Sequence, residues 1–293
     1  MCISLIVGGD GTIGSAMRTA MQNCGTEVWT TSRRGDKRKY ERSISLDLSD
    51  PTFRLPCAPR SAFLCAGQSG FLDCERDVQT TYRINVTGTI AVSRQLLTQG
   101  AFVVFLSSSA VGDGSESLLE ARTVQSARTE YGRQKAEAER QLLEIDNGKG
   151  GLAVVRLTKV FSSATPLVRE FVQHLAKGER FDAFSDLYIS PVSLQYVVES
   201  LLEIERRRIG GIYHLSGSIE LSYADFARRL AGKLGVSADL VGESTVEKSP
   251  TPVLYRPRHP ALDMTRTARI IGLNPEPIDA MLDNLLADVT AEP

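Results

Sequence analysis

A glycine-rich turn, Gly8-Gly9-Asp10-Gly11-Thr12-Ile13-Gly14, follows the apolar run Ile3–Val7 and opens a helical pattern that extends from Ile13 to Cys24 and stops at Gly25. Strand, tight turn and helix in that order form the repeating unit of an open α/β sheet. The alternation continues through the first half of the chain. Glu27–Thr31, Ser43–Leu48, Ser61–Gly67, Ala101–Ser109 and Leu152–Leu157 read as further strands, with helical patterns over about Cys74–Thr98 and Glu130–Ile145. Strands this apolar, separated by helical crossovers, are buried on both faces of a parallel sheet. The expected fold is therefore α/β: a doubly wound, Rossmann-like parallel sheet with a smaller C-terminal α/β lobe.

Beyond Leu157 the pattern loosens. Pro166 opens a helix that ends at Gly178, and Ser193–Arg208 forms another that stops at Gly210-Gly211. Ser222 reads as the cap of a helix reaching Leu234. A stretch carrying Pro250, Pro252, Pro257 and Pro260 precedes helical segments near 265–271 and 278–286.

The charge balance excludes some partners. Lys and Arg nearly match Asp and Glu, giving a net charge of −1. A field this weak gives no reason to expect nucleic acid or an anionic membrane as partner. The five cysteines are odd in number and form no CxxC pair, so they read as buried free thiols of a reducing compartment. No basic residue precedes Ile3 and no apolar run approaches membrane-spanning length, so a cytoplasmic protein is expected. His174, His214 and His259 are scattered without metal-ligand spacing, and no metal is expected.

Four motifs carry chemistry. In the turn, Gly8, Gly11 and Gly14 let the backbone bend tightly and approach a pyrophosphate. The first helical residues, Thr12 and Ile13, offer free N–H groups and the positive end of the helix dipole. At the end of the second strand, where NAD-selective folds place an acid, stand Ser32, Arg33 and Arg34. A guanidinium there suits the 2′-phosphate of NADP by charge and geometry; the plainer alternative is a solvated basic loop. On the helix after strand five, Tyr131 and Lys135 lie four residues apart and so share a face. An ammonium beside a phenol is expected to lower the phenol's pKa toward useful acid–base chemistry. At the end of strand five a run of serines, Ser107–Ser109, offers a hydroxyl to a substrate carbonyl.

Together these motifs resemble the extended short-chain dehydrogenase/reductase family. GxxGxxG, Asp47-Leu48, Cys65-Ala66-Gly67, Asn85-Val86-Thr87-Gly88-Thr89, the serine run and YxxxK occur in the family's order. The resemblance implies an NADP-dependent oxidoreductase with Ser108, Tyr131 and Lys135 as catalytic residues, Ser108 being selected because it lies three residues before Val111. It implies that Asp47 meets adenine, and that Leu48, Cys65, Ala66, Gly67 and Asn85 line or support the cofactor site. Leu157 and Thr158 would complete that site. The second half is most similar to the dTDP-4-dehydrorhamnose reductase branch, through Val154–Phe161, Ser190–Leu202, Ile212–Leu230 and Tyr255–Arg266. That implies a 4-keto sugar nucleotide as substrate, held by Ser109, Lys159 and Arg256, with Arg256 or Arg258 on its diphosphate. It also implies a cofactor domain over residues 1–158, to which 192–213 return, and a substrate lobe from 159–191 and 214–293. The segment 112–128 lacks the aromatic and proline pattern usual in the branch. A sugar-nucleotide epimerase and a non-catalytic NADP-binding regulatory subunit remain as alternatives, and a homodimer is left open.

Overall fold

The protein is described by a computed structural model over residues 3–33, 42–52, 54 and 58–290. The chain divides into two compact units. The first comprises Met1–Gly112, Val124–Arg156 and Val198–Tyr213, and the second Asp113–Thr123, Leu157–Val197 and His214–Pro293.

The first unit is built on the central sheet. Its strands are β1 (Ile3–Val7), β2 (Glu27–Ser32), β3 (Ser43–Ser45), β4 (Ser61–Leu64), β5 (Phe102–Ser108), β6 (Leu152–Leu157) and, later in the chain, β11 (Gly211–Leu215). Their order is β11-β6-β5-β4-β1-β2-β3. β1 pairs in parallel with β2 and β4, β2 with β3, and β4 with β5. The strand order thus reverses between β1 and β4, and a crevice opens at the carboxyl ends there. β4 and β6 are buried along their whole length. Between β1 and β4, Ser4 and Ser61 share a hydroxyl–hydroxyl bond of 3.0 Å. Alternate residues point to one face, so Leu5 and Val7 of β1, Ala62 and Leu64 of β4 and Val103 and Phe105 of β5 pack against one helical layer that includes Leu96 and Leu142.

Three helices of this unit position the site: α1 (Thr12–Asn23), α4 (Thr89–Thr98) and α5 (Glu130–Asp146). Thr129 caps α5 by accepting from the Gly132 N–H at 3.1 Å. The single helix expected over Cys74–Thr98 is instead four pieces: α2 (Phe71–Arg76), α3 (Val78–Tyr82), a π-helical turn (Arg83–Gly88) and α4. Asp77 breaks it. Its backbone leaves the helical region (φ −134°, ψ 72°), and its carboxylate then caps α3 by accepting from the Thr80 N–H at 3.0 Å. Two expected strands are shorter than their sequences suggest. β3 stops at Ser45 because Asp47 turns the chain, its carboxylate accepting from the Ser49 N–H and hydroxyl at 2.8 and 2.7 Å. β4 stops at Leu64, leaving Cys65–Gly67 to form the crevice wall. Cys24, expected to be buried, is exposed; Cys65 is half-buried and Cys74 buried. Cys2 and Cys57 lie outside the described residues.

The second unit contains β7 (Lys159–Phe161), α6 (Pro166–Lys177), β8 (Phe181–Phe184), β9 (Tyr188–Ile189), β10 (Pro191–Ser193), β12 (Leu221–Ser222), α8 (Tyr223–Lys233), β13 (Val241–Ser244), α9 (Thr265–Ile271) and α10 (Ile278–Thr290). α7 (Leu194–Arg207) runs from this unit into a segment of the first. β7 pairs with β10 and β8 with β13 in parallel, and β9 with β12 antiparallel. Its core joins Phe171 and Leu175 of α6, Phe226 and Leu230 of α8 and Met281 and Leu285 of α10. Pro166 opens α6 and Gly178 closes it with φ +69°, as the sequence suggests. Ser222 caps α8, accepting from the Asp225 N–H at 3.0 Å. Among the described residues no helix is long and apolar enough to cross a membrane.

Candidate active site

The crevice at the end of β1 and β4 is a cleft of about 560 Å³. Of the residues expected to bind a cofactor, it brings together Gly8, Gly11, Ser32, Arg33, Asp47, Leu48, Cys65, Ala66 and Gly67. Arg34 lies outside the described residues. Gly8 has φ +89°, and a Cβ there would stand 2.8 Å from Ala66. A Cβ on Gly14 would stand 2.1 Å from the Gly8 carbonyl, so α1 cannot come so near the strand with any other residue there. At Gly11 the nearest atom would be 3.5 Å away, which is ordinary contact. Gly11 offers α1 no side-chain cap, so the first-turn N–H groups, including those of Thr12 and Ile13, lack an intrahelical acceptor. A tight glycine cradle ending in free amides at a helix N-terminus is a site for a pyrophosphate. The residues present therefore fit a nicotinamide dinucleotide.

The wall formed by β4 is held from behind. Asn85, in the π-helical turn, is buried. Its Oδ1 accepts from the Gln68 N–H at 2.8 Å, and its Nδ2 donates to the Gln68 carbonyl at 2.9 Å and to Gln134 Oε1 at 2.8 Å. Gln134 in turn donates to Thr81 and Glu130, each at 3.0 Å. Asn85 is thus a brace for the loop after β4. The π-helical turn brings it there, and Gly88 permits the turn, because a Cβ on Gly88 would lie 1.9 Å from the Leu48 carbonyl.

Ser108, Tyr131 and Lys135 are brought together by one close approach. A Cβ on Gly132 would stand 2.1 Å from the Ala110 carbonyl, so the glycine beside Tyr131 seats α5 against the turn after β5. Ser108 accepts from the Ala110 N–H at 3.1 Å, and its hydroxyl is near enough to Tyr131 to act on the phenol's pKa. Phe71 packs edge-on against the Tyr131 ring at 5.3 Å between centroids. Lys135 donates to the Leu106 carbonyl at 2.7 Å. Its Nζ lies 6.0 Å from the Tyr131 ring centroid and 3.9 Å from where a Cβ on Gly67 would be, which places it at the cleft wall.

The electrostatics correct one expectation. Burial pushes the Tyr131 phenol up to about 12, with the Ser108 hydroxyl pulling it partly back, and Lys135 does not lower it. Burial also pushes Lys135 down to about 8, opposed by the Glu139 carboxylate one turn further along α5. The ammonium is turned onto the Leu106 carbonyl and has no direct bond to the phenol, so desolvation outweighs it. Burial likewise raises the Cys65 thiol to about 12, leaving it un-ionised. The bonds from Ser49 hold the Asp47 carboxyl below the usual range, the Arg33 guanidinium adding to the effect.

Ser109 starts a short 3-10 turn, Ser109–Val111. Leu157 is the last residue of β6 and Thr158 follows it, both in the part of the chain that belongs to the second unit; the Thr158 N–H donates to the Leu215 carbonyl at 3.1 Å. Lys159 opens β7 as an exposed residue, with its Nζ 5.7 Å from the Phe161 ring centroid. Arg256 is exposed. It donates to the Val253 carbonyl at 3.1 Å and pairs with Glu247 at 3.7 Å, so its guanidinium is engaged by its own loop. The sequence reading missed Phe71, Gln68, Gln134 and Glu139. Only Gln134, inside YGRQK, lay in a motif that could have drawn attention to it.

A family model described as RmlD substrate binding domain matches residues 2–291. Methionine adenosyltransferase 2 subunit beta of Xenopus tropicalis is 24% identical over 280 residues, covering 91% of this chain and 82% of that protein. A dTDP-4-dehydrorhamnose reductase of Aggregatibacter actinomycetemcomitans is 25% identical over 226 residues, covering 73% and 76%. Among solved structures, the dTDP-4-dehydrorhamnose reductase of Bacillus anthracis in complex with NADP superposes with a TM-score of 0.83 at 16% identity, covering 98% of this chain and all of that one.

Proposed function

The chain belongs to the RmlD substrate-binding-domain family, and from that premise we propose that it is an NADPH-dependent reductase of a 4-keto sugar nucleotide, working in the cytoplasm. The observation that carries this reading is the placement of Tyr131 on one helix face with Lys135, beside Ser108, with the Lys135 ammonium at the wall of the glycine-lined cleft. A phenol, with a reference pKa of about 10, is protonated at neutral pH and has a proton to give. Ketone reduction asks it to give one, whereas an epimerase must first take one from a sugar hydroxyl.

A reduced nicotinamide dinucleotide, when bound, supplies the hydride. Ser108 donates a hydrogen bond to the ketone oxygen and orients it. Tyr131 then delivers its proton to that oxygen as negative charge develops, a transfer that runs downhill because an alkoxide is far more basic than a phenolate. Lys135, at the cleft wall beside Gly67, holds the ribose next to the nicotinamide. Arg33 meets the 2′-phosphate, and Asp47 the adenine.

The test is turnover. Oxidation of NADPH by the purified protein is followed with a panel of 4-keto sugar nucleotides, and reduction of at least one at an ordinary enzymic rate is the expected result. Tight dinucleotide binding with no turnover on any of them would reject the reductase. It would favour the second reading, a dinucleotide-binding subunit of a larger assembly, which the likeness to the Xenopus subunit supports.

The pH dependence of binding follows from Lys135. Its depressed pKa means that the ammonium is present below about pH 8 and lost above it. NADPH affinity should therefore fall as pH rises through that value. Titration of NADPH fluorescence on either side of it checks this, and the dependence should vanish in Lys135→Met. A wild-type affinity that stays flat across the range would remove Lys135 from the ribose.

A further inference from the structure

The adenosine end of the cleft carries an acid in an unusual place. Asp10 sits inside the glycine turn, and its Oδ2 accepts a hydrogen bond from the hydroxyl of Ser32, the last residue of β2. Ser32 is buried, Asp10 is exposed, and both line the cleft together with Arg33 and Asp47. Asp10 Oδ1 accepts no hydrogen bond from the described residues. Around Ser32 the described charged groups lining the cleft are two carboxylates, Asp10 and Asp47, against one guanidinium, and that guanidinium already acts on Asp47. Where β2 of an NAD-selective fold would end in an acid, this chain places Ser32 and Arg33 and brings a carboxylate across from the neighbouring turn.

We propose that Asp10, anchored by Ser32, reads the 2′ position of the adenosine ribose in opposition to Arg33. This rests on the reading of the cleft as a dinucleotide site. The free carboxylate oxygen accepts from a 2′-hydroxyl, which a carboxylate binds well. The same charge repels a 2′-phosphate, which is itself anionic. Arg33 attracts that phosphate. Dinucleotide choice is therefore a balance between two side chains on adjoining turns, and the wild type discriminates against NADH less than Arg33 alone would make it do. Asp10 is a specificity residue that leaves the hydride step untouched.

The charge can be separated from the geometry. Asp10→Asn keeps an oxygen that accepts from Ser32, so the turn stays anchored, but removes the negative charge. Dissociation constants for NADPH and NADH are measured by fluorescence titration of the full chain, wild type and variant, at low and high salt. The expected result is a shift of about tenfold or more toward NADPH, the size of a charged hydrogen bond gained or lost. The shift should shrink at high salt, because a repulsion between exposed charges is screened. Arg33→Ala should move the preference the other way, and an unchanged melting temperature in Asp10→Asn would show that the turn is intact. A ratio altered by less than about twofold, below what one charged contact contributes, would overturn the proposal. So would an equal loss of both dinucleotides, which would make Asp10 a staple of the turn. A wild type that binds neither dinucleotide would overturn the reading of the cleft itself, and the proposal with it.

Discussion

Tyr131→Phe is expected to lower the rate of carbonyl reduction by roughly 10²–10⁴-fold, the range for losing a positioned general acid, while leaving dinucleotide affinity and melting temperature near those of the wild type. The phenylalanine keeps the ring that packs against Phe71. Ser108 keeps the Ala110 N–H as a partner when the phenol hydroxyl is removed. The cleft-lining glycines and Lys135 are unchanged, so binding survives. Because the wild-type phenol stays protonated to about pH 12, the reduction rate should show no loss of the Tyr131 proton across the neutral range. Any alkaline fall near pH 8 belongs to Lys135. The measurements are single-turnover NADPH oxidation with a verified substrate and a separate binding titration. A variant that kept near-wild-type single-turnover rates would mean another group delivers the proton.

The second large effect is on stability. Glu139 of α5 and Arg156 of β6 form a bidentate pair, with Arg156 Nη2 at 2.7 Å and Nε at 3.0 and 3.2 Å from the carboxylate oxygens. Both are buried, at 0% and 2% side-chain exposure, and Gln125 donates to Glu139 at 2.6 Å. Removing one member leaves the other charge without its counter-ion in a medium that solvates charge poorly. Glu139→Ala or Arg156→Ala should each cost ~3–5 kcal/mol, a fall in melting temperature of roughly 6–20 °C for a domain of this size. A double replacement by apolar residues of similar volume should cost much less, because no charge is then stranded. Thermal denaturation of both single variants and the double variant decides this. Single variants that melt with the wild type would mean that water reaches the pair. Glu139 also opposes the depression of Lys135, so Glu139→Ala should move the alkaline limit of dinucleotide binding to lower pH.

Much of this was readable in the residues because it depends on local order along the chain. The glycine turn, the strand that precedes it and the helix that follows are contiguous, so their spacing alone fixes a strand–turn–helix unit. Tyr131 and Lys135 share a face because they are one helical turn apart. Gly178, Pro166 and Ser222 end or begin helices through their own backbone and side-chain chemistry. The expected long helix over Cys74–Thr98 failed for a reason that is not local. Asp77 and the π-helical turn break it so that Asn85 can reach Gln68 and Gln134, and nothing in the hydrophobic period reveals that demand.

The sequence by itself determined the sheet's alternation, the glycine turn and the shared helix face of Tyr131 and Lys135, while Ser108 was singled out by the family resemblance. Each is a matter of residue type at fixed spacing. The tertiary structure decided what those groups experience. Tyr131 rises and does not fall because burial outweighs an ammonium that is turned onto the Leu106 carbonyl. Asp10 meets Ser32 because two segments 22 residues apart in sequence come together at the cleft. Glu139 and Arg156 pair across a helix and a strand 17 residues apart. Desolvation and charge proximity depend on distances in space, and a linear pattern records only distances along the chain.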